Sequence, residues 1–140
     1  MSEAKSDGFP RRDADGRIIA LPDLVGVTLA GLVVGVVVLA LFDAMLMVIG
    51  AGEFGSANGW LAAILPVWLF VDEFRAWRIG AGRIAVALVA AAVAIAAGLL
   101  AAGLARDLPP LGGGAIAAAV FSLVYVLIWF HGIRLLARRS

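Results

Sequence analysis

From Ile84 to Ala105 the chain carries no charged residue, and this feature restricts the fold more than any other. The run is too long for a strand. As a helix rising about 1.5 Å per residue it is long enough to cross about 30 Å of hydrocarbon. A helix also satisfies its own backbone N–H and C=O groups, which a bilayer cannot do for it. The composition of the whole chain agrees. Of 140 residues, 64% are hydrophobic and 15% charged, and the mean hydropathy is +1.06. A soluble domain carries about 45–50% apolar and about 25% charged residues. A domain of this size exposes too much surface to hide the excess in a core. The sequence therefore predicts an all-α integral membrane protein with lipid as its solvent.

Three further segments complete the expected architecture of four transmembrane helices, arranged as two hairpins. The spans fall at about residues 24–50, 59–77, 84–105 and 114–136, within a transmembrane domain over residues 23–137. The second is bounded by Trp60 and Trp77, which read as interfacial anchors, and contains Pro66, which predicts a kink. Pro109-Pro110 and Gly112-Gly113 mark the connection before the fourth. Residues 1–22 are polar, with Gly8, Pro10, Gly16 and mixed charges, and are expected to form a flexible cytoplasmic tail. Within it Asp13-Ala14-Asp15-Gly16 lacks the later ligands of a calcium loop and reads as a turn. Arg11-Arg12 is followed by acidic rather than apolar residues, which argues against an export signal.

Basic residues assign the sides. Lys5, Arg11, Arg12 and Arg17 precede the first span. Arg75, Arg78 and Arg83 lie between the second and third, and Arg134, Arg138 and Arg139 close the fourth. Arg106 alone falls on the other side. The positive-inside rule then places both termini in the cytoplasm, in a cytoplasmic (inner) membrane. Arginine outnumbers lysine ten to one beside abundant Ala, Gly and Val, a composition expected of a GC-rich bacterial genome.

Small residues predict where helices touch. Gly31 and Gly35 have the four-residue spacing that lets two backbones approach, and Ala90, Ala94 and Gly98 repeat it in the third span. These five residues are the expected packing seam. Ionisable groups at membrane depth are costly and mark candidate pathways. Asp72 and Glu73 lie about 6–8 Å inward of Trp77 along a helix, His131 follows Trp129 at the same end, and Asp43 lies near the far end of the first span. Asp43, Asp72, Glu73 and His131 are thus the candidate ion or substrate pathway, with Arg75 and Arg134 close by. The competing reading of the Asp72–His131 group is a solvated helix end.

Catalytic motifs are missing. No Gly-x-Ser-x-Gly, His-Glu-x-x-His or phosphate-binding Gly-rich loop with Lys is present. One histidine and no cysteine leave no two-histidine or thiolate centre, so no cofactor is expected. Asp72 and Glu73 point about 100° apart on a helix, which suits a catalytic pair poorly. A net charge of +1 without a basic, aromatic stripe gives no sign of nucleic acid. The expected function is non-enzymatic: an accessory or small subunit of a membrane complex, partnered by lipid and by another membrane subunit or further copies of itself. The alternative is a small homo-oligomeric transporter or channel built on the acidic residues.

Overall fold

The computed structural model describes residues 9–78 and 80–139. Four α-helices carry the chain: α1 (Leu21–Val48), α2 (Ile64–Ala76), α3 (Gly82–Leu104) and α4 (Pro110–Arg139). A 3₁₀ turn over Gly59–Ala63 leads directly into α2. Among the described residues the sole β pairing is an isolated bridge between Arg12 and Ile18. Three helices, α1, α3 and α4, are long and apolar enough to cross a membrane. Their outer faces are apolar, with Val34, Leu88 and Leu100 all exposed, as lipid contact requires.

The second expected span departs from a continuous α-helix, and Pro66 supplies the reason. Proline has no N–H to donate to the carbonyl of Ala62, and its ring crowds that position. The chain answers by winding Gly59–Ala63 as a 3₁₀ turn, capped by Asn58, whose side chain accepts from the Trp60 N–H. The α-helix then starts afresh at Ile64, which puts Pro66 in its first turn, where a missing donor costs little.

α4 is the centre of the packing and touches every other element. A Cβ built on Gly82 would meet Leu136, one on Gly132 would meet Val86, and one on Gly98 would meet Ala117 and Phe121. α3 and α4 therefore run antiparallel. Phe70 stacks on Tyr125 at 4.2 Å between centroids and Phe74 lies 6.1 Å from Trp129, so α2 runs parallel to α4. Aromatic rings fill this part of the core, with Trp129, Val126 and Ile133 almost wholly buried.

α1 runs antiparallel to α2. Gly31 faces Leu65 and Pro66, and a Cβ on Gly35 would stand 2.9 Å from the Ala62 Cα and 3.0 Å from its carbonyl oxygen. The close approach at Gly31 and Gly35 is thus made with Ala62–Pro66, while Ala90, Ala94 and Gly98 are the buried residues of α3, packed on α4. Gly35 meets the carbonyl that Pro66 leaves without its α-helical donor, a geometry that favours Cα–H···O contact. Gly35→Leu is expected to force α1 away from the 3₁₀ turn and to lower the temperature at which the detergent-solubilised protein aggregates, by the equivalent of about 1–3 kcal/mol of overpacking. Val34→Leu and Val38→Leu, on exposed positions, are the controls in a heating series read by size-exclusion elution. Elution of Gly35→Leu like these controls would remove the seam from the architecture.

Residues 9–20, expected within a flexible tail, make defined contacts with themselves and with the bundle. The chain folds back on itself at Asp13–Gly16: the Asp13 Oδ1 accepts from the Asp15 and Arg17 N–H groups, Gly16 takes φ +85°, and Ile19 N–H donates to the Arg11 carbonyl. The resulting loop lies across one end of the bundle and buries Ile18 completely. The remaining expectation for the tail, over residues 1–8 and including Lys5, lies outside the described residues.

Candidate functional site

The helix directions collect the chain ends and the α2–α3 connection at one end of the bundle, and there the candidate acidic and basic residues separate into two groups. Glu73 points inward and is 1% exposed. Its Oε1 accepts from the Ile18 N–H at 3.0 Å and its Oε2 from the Trp77 indole N–H at 3.3 Å. Arg134, from α4, donates through Nη2 to the Ile18 carbonyl at 2.6 Å. One residue of the N-terminal loop is therefore held by both its backbone groups, from two helices. Arg17 follows it down, stacking 4.2 Å above the Trp77 ring and donating to the Ala76 carbonyl. Trp77, expected at a lipid interface, is instead 6% exposed beneath this loop.

Asp72 and His131 do not join this cluster. Both are exposed. Asp72 lies next to Glu73 in sequence, and the turn of about 100° between them that spoils a catalytic pair also sends one inward and the other outward. His131 touches the ring of Phe130. Among the described residues the ion pairs are Arg11–Asp23 and Arg17–Asp15, so Asp72 and Arg75 do not pair. The structure thus brings Glu73 and Arg134 together and leaves Asp72, Arg75 and His131 on the outside.

Asp43 lies at the opposite end and is buried, 1% exposed. α1 stops five residues later: Gly50 takes φ +76°, its N–H bonds the Met47 carbonyl, and the Ala51 N–H bonds the Leu46 carbonyl. This pair of bonds closes the helix in a Schellman motif. The following loop folds back so that Gly55 and Ala57 donate their N–H groups to the Asp43 Oδ2, at 2.8 and 3.1 Å. The Gly55 carbonyl in turn accepts from Leu111 in the first turn of α4, which starts with Pro110. Asp43 is the anchor of a loop that ties α1 to α4.

The arginines cap main-chain carbonyls. The last carbonyls of a helix lack intrahelical donors and carry its negative dipole end. At α2 they are met by Arg83, which donates to Phe74 and Trp77, and by Arg17 at Ala76. Sequence reasoning missed this use of Arg17 and Arg83, and it missed the docking of Ile18. The signal for the latter was the apolar pair Ile18-Ile19 inside an otherwise polar segment. Two buried polar atoms of α4, the Ser122 Oγ and the Trp129 Nε1, have no hydrogen-bond partner. No cluster of three or more histidine or acidic side chains suited to a metal occurs among the described residues. Compared with known protein families, curated proteins and solved structures, the chain matches none.

Proposed function

We propose that this chain is a non-enzymatic membrane protein that crosses the cytoplasmic membrane four times, as two hairpins with both termini in the cytoplasm, and serves as an accessory or small subunit of a membrane complex. The fourth crossing rests on length and direction. The 3₁₀ turn adds about 10 Å to the about 20 Å of α2, together close to the hydrocarbon thickness. The antiparallel courses of α1 with α2 and of α3 with α4 suit two hairpins, and the basic ends of all four segments then share one side.

The observation that carries the functional reading is the use made of the buried carboxylates. Asp43 and Glu73 are both occupied by backbone N–H groups of the chain itself, which suits anchors better than an ion path. The outer face of α2, by contrast, presents Trp68, 70% exposed, and Asp72 one turn further on. An indole N–H and a carboxylate facing hydrocarbon gain by meeting a neighbouring polar helix. Capture of the tagged chain from native membranes in mild detergent is expected to bring a second membrane chain with it, less so from Trp68→Leu and Asp72→Asn. A lone monomer in both wild type and variants overturns the subunit reading. Flux of an ion through liposomes holding the purified protein alone, lost in Asp43→Asn or Asp72→Asn, would establish the transporter in its place.

Topology has its own test. Reporters fused after Ser140 or within residues 78–83 are expected in the cytoplasm, and reporters near Ser56 or Pro110 outside. A cytoplasmic signal at Ser56 would leave the first span uncrossed and end the four-crossing arrangement.

A further inference from the structure

α2 and α3 each pack on α4 rather than closely on one another, and a groove of about 250 Å³ opens to the side between them. Val67, Phe70 and Phe74 line it from α2, Ala87 and Ala91 from α3, and Tyr125 from α4. The lining is apolar along its length, apart from the tyrosine hydroxyl. At the end of the bundle that carries the chain termini, the lining residue Phe74 carries the Arg83 guanidinium on its ring. Arg83 stands one turn before Ala87 and two before Ala91, on the same face of α3. Its guanidinium lies 4.3 Å over the ring of Phe74, and its Nη1 donates to the carbonyls of Phe74 and Trp77, both at 2.9 Å. These bonds occupy one nitrogen of a group that carries five N–H donors. No carboxylate pairs with Arg83 among the described residues.

We propose that this groove binds an anionic phospholipid, one acyl chain lying between α2 and α3 and the phosphate resting on Arg83. The proposal rests on the four-crossing reading, which sets Arg83 at headgroup depth. Chain and charge are both matched: the walls offer the acyl chain only carbon surface, and a basic pocket between helices at the membrane surface is where anionic headgroups are held. Guanidinium donors and phosphate oxygens form short, charge-assisted bonds. A partner helix suits the apolar walls but brings no anion to the remaining donors of Arg83.

The test uses the full chain in mild detergent, read by native mass spectrometry against phosphatidylglycerol and phosphatidylcholine with identical chains. The wild type is expected to hold phosphatidylglycerol about tenfold more tightly, because phosphatidylcholine brings the same phosphate with a quaternary ammonium that the Arg83 charge repels. R83Q is expected to abolish that preference and R83K to keep most of it. A91F, which fills the groove and keeps Arg83, is expected to weaken both lipids. R75Q, on the exposed side of α2, is the control. Equal binding of the two lipids by the wild type, or A91F binding like the wild type, overturns the proposal. In native membranes a photoreactive residue at Val71, which also lines the groove, is expected to form an adduct of lipid mass. A crosslink to a protein chain there assigns the groove to a partner helix and overturns it as well. Reporter fusions separate the two failures, since misplaced reporters refute the four-crossing reading whatever lipid is bound.

Discussion

Gly114→Leu is expected to prevent the chain from being recovered as a monodisperse species in mild detergent, and Gly59→Val to do the same. A Cβ on Gly114 would stand 2.6 Å from the backbone nitrogens of Gly59 and Trp60, and one on Gly59 would strike the Leu111 carbonyl and the Ala115 nitrogen. In both cases the obstacle is backbone, so no rotamer change can relieve it. Ordinary overpacking costs about 1–3 kcal/mol because side chains and helices yield. Here the helices would have to part, and in lipid no hydrophobic penalty resists their parting, because their association depends on close packing. Separation would also strip the Gly55–Leu111 bond and the contact of Ala62 with Gly35, which lie on either side of this approach. Gly103→Leu is the matched control, because nothing stands within 4 Å of the Cβ it would carry. Size-exclusion elution and helical circular dichroism after extraction decide it. Wild-type elution of Gly114→Leu would mean that α4 and the 3₁₀ turn do not touch.

Much of this architecture was legible because it is local. The apolar runs that became α1, α3 and α4 announce themselves by length, and small residues four apart announce close approach. What that spacing does not carry is the identity of the partner. Gly31 and Gly35 meet Ala62–Pro66, a choice made by the packing of four helices at once. Rotation about the helix axis was illegible for a related reason. α1 is apolar on every side, so its pattern does not reveal that Leu24, Thr28 and Leu32 turn inward while Val33 and Val37 turn out. The same blindness left His131 and Glu73 in one expected cluster: position along the axis follows from counting, and the facing direction does not. The polar candidates depended on still longer contacts. Glu73 is matched to an N–H fifty-five residues away and Arg134 to a carbonyl one hundred and sixteen residues away. No periodicity encodes such a pairing, so a segment of turn residues with two isoleucines reads as a free tail until the bundle end that receives it is built.

The N-terminal loop is expected to come off the bundle when Glu73 is removed. In Glu73→Ala the Ile18 N–H and the Trp77 indole N–H lose their acceptor, while the carbonyl partners of Arg134 are untouched. Leaving a buried donor without an acceptor typically costs about 1–3 kcal/mol if the structure stays closed. The loop has a cheaper course, which is to leave and let water satisfy Ile18, Trp77 and Arg134. The cost of the mutation is therefore limited to the free energy that holds the loop in place. Each hydrogen bond to a charged group contributes about 1.5–3 kcal/mol, so losing Glu73 should raise the undocked fraction about ten- to a hundredfold. Arg134→Ala removes the bond to the same residue from the other side and should release the same loop. The two effects should not add, since a loop already undocked cannot be undocked again. Trypsin reads the event directly, because Arg11, Arg12 and Arg17 all lie in the segment that folds back. Faster cleavage at these sites is expected for Glu73→Ala, for Arg134→Ala and, no faster than either, for the double variant. Glu73→Gln keeps an acceptor for the Ile18 N–H but loses the charge near Arg134, and should fall between wild type and Glu73→Ala. Asp72→Ala, one residue away and exposed, should be cleaved like wild type. If Glu73→Ala is also cleaved like wild type, Glu73 does not hold the loop, and the buried carboxylate again requires a reason for being there.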